Sequence, residues 1–394
     1  MTILLLAIIY IAAVSLGLPD ALLGAAWPVM YKEFAVPVSY AGIISTISSC
    51  GTITSSLLSD RLTRRFGTGL ITAVSVAVTA LALLGFSVSN RFWMLILLAV
   101  PYGLGAGGID SALNNYVALH YESRHMSWFH CMWGVGASGG PYVMGYALSG
   151  GIGWSEGYRI IGVFQMVLTF VLVFSLPMWK KRPYQTEVKG KALSFGEIFR
   201  IVGAKEVFLA FFCYCAIEST ATLWASSFLV LHKGIEVQKA AAFASMFCIG
   251  ITVGRAFNGF LTYKFSDTQL IRIGMVIIGA GALGLVFPLG TGAALAGLIL
   301  MGLGCAPVYP CIIHSTPKNF GAENSQGIIG IQMASAYVGS TFMPPIFGIL
   351  ANHISLKLMP LYLAFFFLLL IVMITRTERE CRGNHYELQN CSYD

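Results

Sequence analysis

Charge is what this sequence has least of. Only 10% of its 394 residues are Asp, Glu, Lys or Arg, while 57% are hydrophobic. A soluble domain carries roughly 25% charged residues, and so few ionic side chains cannot cover a water-facing surface. The sequence also lacks a P-loop, a CxxC metal pair and any spacing that would assemble a nucleophile with a base. Primary pumping, metal chemistry and enzymatic catalysis are therefore not expected, and no cofactor is implied. No basic, aromatic-studded stretch exists, so the net charge of +7 does not point to nucleic acid. No Lys or Arg precedes the apolar segment that opens at Ile3, which reads as a span and not as a cleavable signal. Of the nine cysteines, Cys50, Cys213, Cys215, Cys248 and Cys305 fall inside apolar runs and are expected to be buried, reduced and structural.

What is present is a succession of apolar runs of about 20 residues, the length that crosses a bilayer's hydrocarbon core. Spans are expected at 3–29, 38–59, 68–89, 92–118, 127–149 and 158–179, then at 206–231, 239–261, 269–288, 292–313, 325–350 and 356–375. All should be helices, because an open strand would leave its backbone polar groups unsatisfied in lipid. The chain thus reads as an all-α membrane protein with twelve transmembrane helices. An N-terminal six-helix bundle covers 1–179, a cytoplasmic linker 180–205, a C-terminal six-helix bundle 206–376, and a disordered cytoplasmic tail 377–394.

Lys and Arg set the orientation. With both termini cytoplasmic, 18 of them, including Arg255, fall on the inner side and 6 on the outer side. That bias matches the positive-inside rule and predicts a multi-pass protein of the inner (cytoplasmic) membrane. The halves echo each other. Gly51–Phe66 ends in Leu-Thr-Arg-Arg-Phe and Gly250–Phe265 in Leu-Thr-Tyr-Lys-Phe, 199 residues later. Gly103-Leu104-Gly105 recurs at the same offset as Gly302-Leu303-Gly304, and Pro141-xxx-Gly145 is echoed by Pro344-xxx-Gly348. Parallel six-span repeats imply two pseudo-symmetric bundles with a site near the midplane.

The stretch from Ser56 to Arg65, with Asp60, Arg61, Arg64 and Arg65, resembles the loop between the second and third spans of the major facilitator superfamily. That family usually has Gly where this chain has Ser56 and Thr63. The resemblance implies the major facilitator fold and a conformational latch at these four charged residues; the plainer alternative is that the arginines only anchor the loop inside.

Three acids lie deep in predicted spans: Asp20, Asp110 and Glu218. An ionisable residue at mid-bilayer costs about 2.5–3.5 kcal/mol on insertion scales, so each asks for a reason. Asp20 stands between Pro19 and Pro28, where the helix should bend. Asp110 and Asn114 share a helix face at i,i+4 spacing. A carboxyl in a low-dielectric surround can exchange a proton near neutral pH, which a proton-coupled carrier requires; the alternative is a neutral carboxyl bonded to a neighbouring helix for packing alone. Leu18-Pro19-Asp20 and Asp110-xxx-Asn114-x-Tyr116-Val117 resemble the fucose–galactose–glucose permease family of proton symporters. There the resemblance implies proton uptake at Asp110 and a link between proton and sugar at Asp20. This chain has Asp where the family usually has Glu in the fourth span, and Asn115 where it has Pro. Gly134–Pro141, Tyr309-Pro310 and Met343–Gly348 resemble its later spans.

A sugar site pairs hydrogen-bonding groups with aromatic faces. Candidates are Asn114, Asn115, His130, Trp133, Trp224, Tyr309 and Gln332, with Trp27 and Trp128 expected as interfacial anchors. His130 lies near a span end and could instead cap it. The run Gly103–Gly108 has the letters of a dinucleotide fingerprint but no preceding strand, so helix packing is the expected role. The sequence therefore predicts a monomeric transporter of a small molecule, a sugar or similar polyol, coupled to protons, with sodium left open. Gly136-xxx-Gly140-Pro141 resembles a motif of drug–proton antiporters and keeps an exporter as the rival. A non-transporting sensor would usually carry a signalling domain, which this sequence lacks.

Overall fold

The computed structural model describes residues 2–37, 40–151, 153–179, 193–235, 237–287 and 290–390. Regular structure among them is helical. The helices are α1 (Thr2–Gly17), α2 (Leu22–Glu33), α3 (Ala41–Phe66), α4 (Thr68–Ser87), α5 (Phe92–His120), α6 (Ser123–Ser149) and α7 (Trp154–Trp179). A short α8 (Phe195–Ile198) precedes α9 (Ala204–Lys233), α10 (Val237–Leu261), α11 (Asp267–Val286), α12 (Thr291–Phe320), α13 (Ala322–His353) and α14 (Met359–Asn390). Ten stretches among the described residues are long and apolar enough to cross a membrane, the first of them running through α1 and α2 from Ile3 to Glu33.

The chain divides into two compact units, residues 1–117 with 128–192 and residues 118–127 with 193–394. In the first, α4 packs along α7 and α1 lies against α7, where Gln165 Nε2 donates to the Ser15 carbonyl at 2.8 Å. Leu22, Trp27, Met30, Ile44, Leu83, Phe86, Trp154 and Tyr158 form its core around α2. In the second, α11 packs on α12 and α9 on α13. Lipid tails are as apolar as leucine, so close contact between small residues holds such helices together.

The internal repeat is visible in these contacts. A methyl group added at Gly103 would overlap the Ser48 carbonyl, and one at Gly302 would overlap the Phe247 carbonyl. Likewise a Cβ at Gly105 would lie 2.7 Å from Ser75 O, and at Gly304 2.7 Å from Gly274 O. Every residue in the second set stands 199 positions after its counterpart. The two halves thus repeat the same helix crossings, and Gly103–Gly108 serves packing.

Several expectations change. The first span is two helices: α1 stops at Gly17 and α2 starts at Leu22, with Pro19 unable to donate a backbone hydrogen bond. The supposed loop at Asp60–Arg65 is the last two turns of α3, and Gly67 alone, at φ +82°, makes the turn into α4. Trp27 is buried in the core against Phe92 and not set as an anchor. Cys50 and Cys248 are exposed, whereas Cys213, Cys215 and Cys305 are buried, all with free thiols. The tail expected to be disordered from Thr377 is helical to Asn390, because extending a formed helix costs far less than starting one. Residues 180–192 of the linker lie outside the described residues; α8 follows them, opened by a capping box between Ser194 and Glu197.

The segment 118–127, between α5 and the body of α6, belongs to the second unit. Ser123 Oγ donates to Asp267, whose other oxygen meets His314 Nδ1 at 2.6 Å. His314 Nε2 lies 3.0 Å from the Tyr121 carbonyl, and Asn258 Nδ2 donates to Ser127 Oγ at 2.7 Å. Arg124 bonds the Tyr263 hydroxyl and stacks on its ring.

Candidate functional site

In the first unit the polar candidates form two groups. Asp110 and Asn114 lie one turn apart on α5, and Asn114 Nδ2 donates to Asp110 Oδ1 at 2.7 Å. His130 on α6 meets Asn114 Oδ1 through Nε2 at 3.0 Å. All three side chains are buried, as is Asn115. A carboxyl, an amide and an imidazole in series give a proton-accepting group, a dipole that turns with it, and a second titratable group. His130 therefore neither caps α6 nor stands alone.

The second group lies where the first span breaks. Asp20 sits in the four residues between α1 and α2, and Trp133 Nε1 donates to its Oδ2 at 2.9 Å. The carboxyl is exposed, unlike that of Asp110. Its frame is tight: Gly136 and Gly140 of α6 press on the Val14 and Leu18 carbonyls, and Gly17 on the Trp133 carbonyl. Backbones that close leave α1 and α6 little freedom to slide, which fixes the indole against the acid.

In the second unit Glu218 on α9 faces Arg255, one of the charges expected on the inner side of the topology. Arg255, on α10, is buried and reaches Glu218 Oε1 with Nη2 at 3.7 Å. Tyr214 stands near the guanidinium and donates to the Cys305 carbonyl at 3.0 Å. The Tyr309 ring lies 5.9 Å from the guanidinium carbon and packs on Phe211 and Tyr214. Arg255 could have been suspected from its place inside the span 239–261.

The other candidates stand elsewhere. Trp224 Nε1 donates to the Pro344 carbonyl at 2.9 Å and its ring meets Phe347. Gln332 is fully buried and exchanges hydrogen bonds with Thr316, tying α13 to α12. Of the four charged residues near the end of α3, Asp60 is buried and holds Arg64 Nε at 2.7 Å, while Arg61 and Arg65 are exposed.

Comparison with known proteins covers most of the chain. The family model described as Major Facilitator Superfamily matches residues 9–325. The 4-hydroxybenzoate transporter PcaK of Pseudomonas putida is 23% identical over 73% of this chain and 72% of its own length. The glucose/mannose transporter GlcP of Bacillus subtilis is 23% identical over 73% of each chain. Among solved structures, the E. coli fucose:proton symporter FucP in its outward conformation superimposes with a TM-score of 0.78 at 17% identity, covering 94% of this chain and 98% of that one.

Proposed function

Because this chain belongs to the Major Facilitator Superfamily and is a multi-pass membrane transporter, we propose that it carries a monosaccharide or related small polar solute together with protons. The arrangement is two bundles of six spans with both termini cytoplasmic, working by alternating access. The observation that carries the reading is the buried series Asp110–Asn114–His130, an acid held in a polar chain inside a membrane-spanning unit. Such groups are costly in a bilayer and mark proton or substrate pathways. Asp20 with Trp133 supplies a carboxylate beside an aromatic face, a combination suited to sugar hydroxyls and a pyranose ring. Asn115 and Tyr309 are further contacts, and Asp60 with Arg61, Arg64 and Arg65 serves as the latch. The likeness to the glucose/mannose transporter supports a sugar; that to the 4-hydroxybenzoate transporter supports a solute bearing an acid group.

In the proposed cycle Asp110 takes a proton, the solute then binds with Asp20 engaged, and the two bundles rock to expose the site on the other side. Uptake of labelled sugars into proteoliposomes with and without a protonophore tests it. Asp110→Asn should abolish gradient-driven accumulation while leaving exchange between equal pools. Accumulation equal to the parent's in that variant refutes the proton role of Asp110. Outward transport of lipophilic compounds against a proton gradient, with no sugar uptake, would favour the exporter suggested by Gly136-xxx-Gly140-Pro141.

A further inference from the structure

A buried guanidinium in the second unit has no part in the proposed cycle. Arg255 lies six residues before the end of α10 at Leu261, roughly 9 Å inside the helix at 1.5 Å per residue. Ion pairs buried in apolar surroundings are seldom worth their desolvation cost, and apolar residues of similar size often pack as stably. A pair held between two helices for packing alone would need tight geometry, and this one is loose. Its 3.7 Å separation exceeds the 2.7–2.9 Å of a good charge-assisted bond. The partners also differ in access: the Arg255 side chain is 4% exposed and that of Glu218 21%. The acid is the member that solvent, a proton or a solute can reach.

Resting on the proton-coupled transport proposed above, we propose that Glu218 takes a second proton and that Arg255 is the receptor for a carboxylate on the transported solute. Protonation of Glu218 Oε1 removes the negative charge that balances the guanidinium. The solute's carboxylate then takes that place, and the planar fork of Arg255 can hold it through two parallel hydrogen bonds. The charge sum is unchanged: guanidinium and carboxylate before, guanidinium, neutral acid and solute carboxylate after. The Glu218 proton and the anion therefore enter as a neutral pair alongside the Asp110 proton, and each favours the other's binding by linkage. Tyr309 stands beside the guanidinium, and its hydroxyl donates to the Met333 thioether at 3.3 Å, a weak acceptor that a solute oxygen can replace. The substrate class is a small hydroxylated monocarboxylate, of which a sugar acid is one form.

The test compares labelled glucuronate, gluconate and 4-hydroxybenzoate with glucose and fucose in proteoliposomes. Membrane potential is clamped with potassium and valinomycin, and a pH gradient is imposed separately. The expected result is uptake of at least one carboxylate, driven by the pH gradient and speeded by an inside-negative potential, because the Asp110 proton is the one charge left unbalanced. Arg255→Gln should lower it by about tenfold or more, Arg255→Lys should restore part of it, and Glu218→Gln should keep exchange but lose the response to pH. Acceptance of the acids is measured on the parent protein, so it stands even where Arg255→Gln fails to fold. Proton-driven, potential-sensitive uptake of a neutral sugar with rejection of all three acids overturns this inference and leaves the proposed function intact. Carboxylate uptake by folded Arg255→Gln at the parent's rate overturns it too. No proton-driven uptake of any solute overturns both.

Discussion

Replacing Asn114 by Leu, which is close to it in size, removes the centre of the buried polar series without opening a cavity. Two side-chain to side-chain bonds go, Asn114 Nδ2 to Asp110 Oδ1 at 2.7 Å and the contact of His130 Nε2 with Asn114 Oδ1 at 3.0 Å, together with a bond from Nδ2 to the Asp110 carbonyl at 2.9 Å. Removing one partner of a buried hydrogen bond costs about 1–3 kcal/mol, so two give about 2–6 kcal/mol before relaxation. Part of that falls equally on every state of the protein and appears as lost stability. The rest falls unequally on the states of the cycle, since Asp110 changes charge between them. If about 1.4 kcal/mol differs between two states, the rate of uphill transport changes about tenfold. The measurement is paired: the thermal midpoint in detergent by tryptophan fluorescence, and the initial rate of gradient-driven uptake. Expected are a lower midpoint and uphill transport reduced by about tenfold or more, with exchange affected less. A variant within twofold of the parent in uptake and within about a degree in midpoint would mean that Asn114 does not couple Asp110 to His130.

The repeated helix crossings make a second case. Gly103→Ala and Gly302→Ala each push a methyl into a backbone carbonyl and should each cost about 1–3 kcal/mol, lowering the thermal midpoint; Gly145→Ala, with open space around it, should leave the midpoint unchanged or raise it. Trp133→Phe keeps the ring but loses the bond to Asp20, and the half-saturation concentration for solute should rise about fivefold or more, read from uptake isotherms. Asp267→Ala removes the acceptor shared by Ser123 and His314, and limited proteolysis should then cut the segment 118–127 faster than in the parent.

The elements easiest to read from the sequence were those set by lipid: apolar length, a bend near Pro19 that the structure carries to a full break, and the i,i+4 spacing that brings Asp110 and Asn114 together. The 199-residue echo was legible because close crossings admit only glycine, so Gly103 and Gly302 survive in both halves. Arg255 was missed because a charge tally treats every Arg near a span end alike; its place inside the span 239–261 was a signal, but its partner Glu218 is visible only in the fold. Trp27 and Gln332 failed to declare themselves for a related reason. An indole near the end of a span suits either an interface or a core, and an amide suits either a solute or Thr316. Composition alone cannot separate these, since each depends on which neighbouring helix comes to lie opposite.

Gly17, Gly136 and Gly140 place α1 and α6 in contact carbonyl to Cα on either side of Asp20 and Trp133. A random screen for inactive alleles should accordingly return these three positions as often as the polar ones. Their loss would displace an intact acid and an intact indole by an ångström or so, a lesion that no inventory of hydrogen-bonding residues would find. Smaller side chains at Val14 or Leu18 should not suppress such alleles, because the atoms in the way are backbone carbonyls.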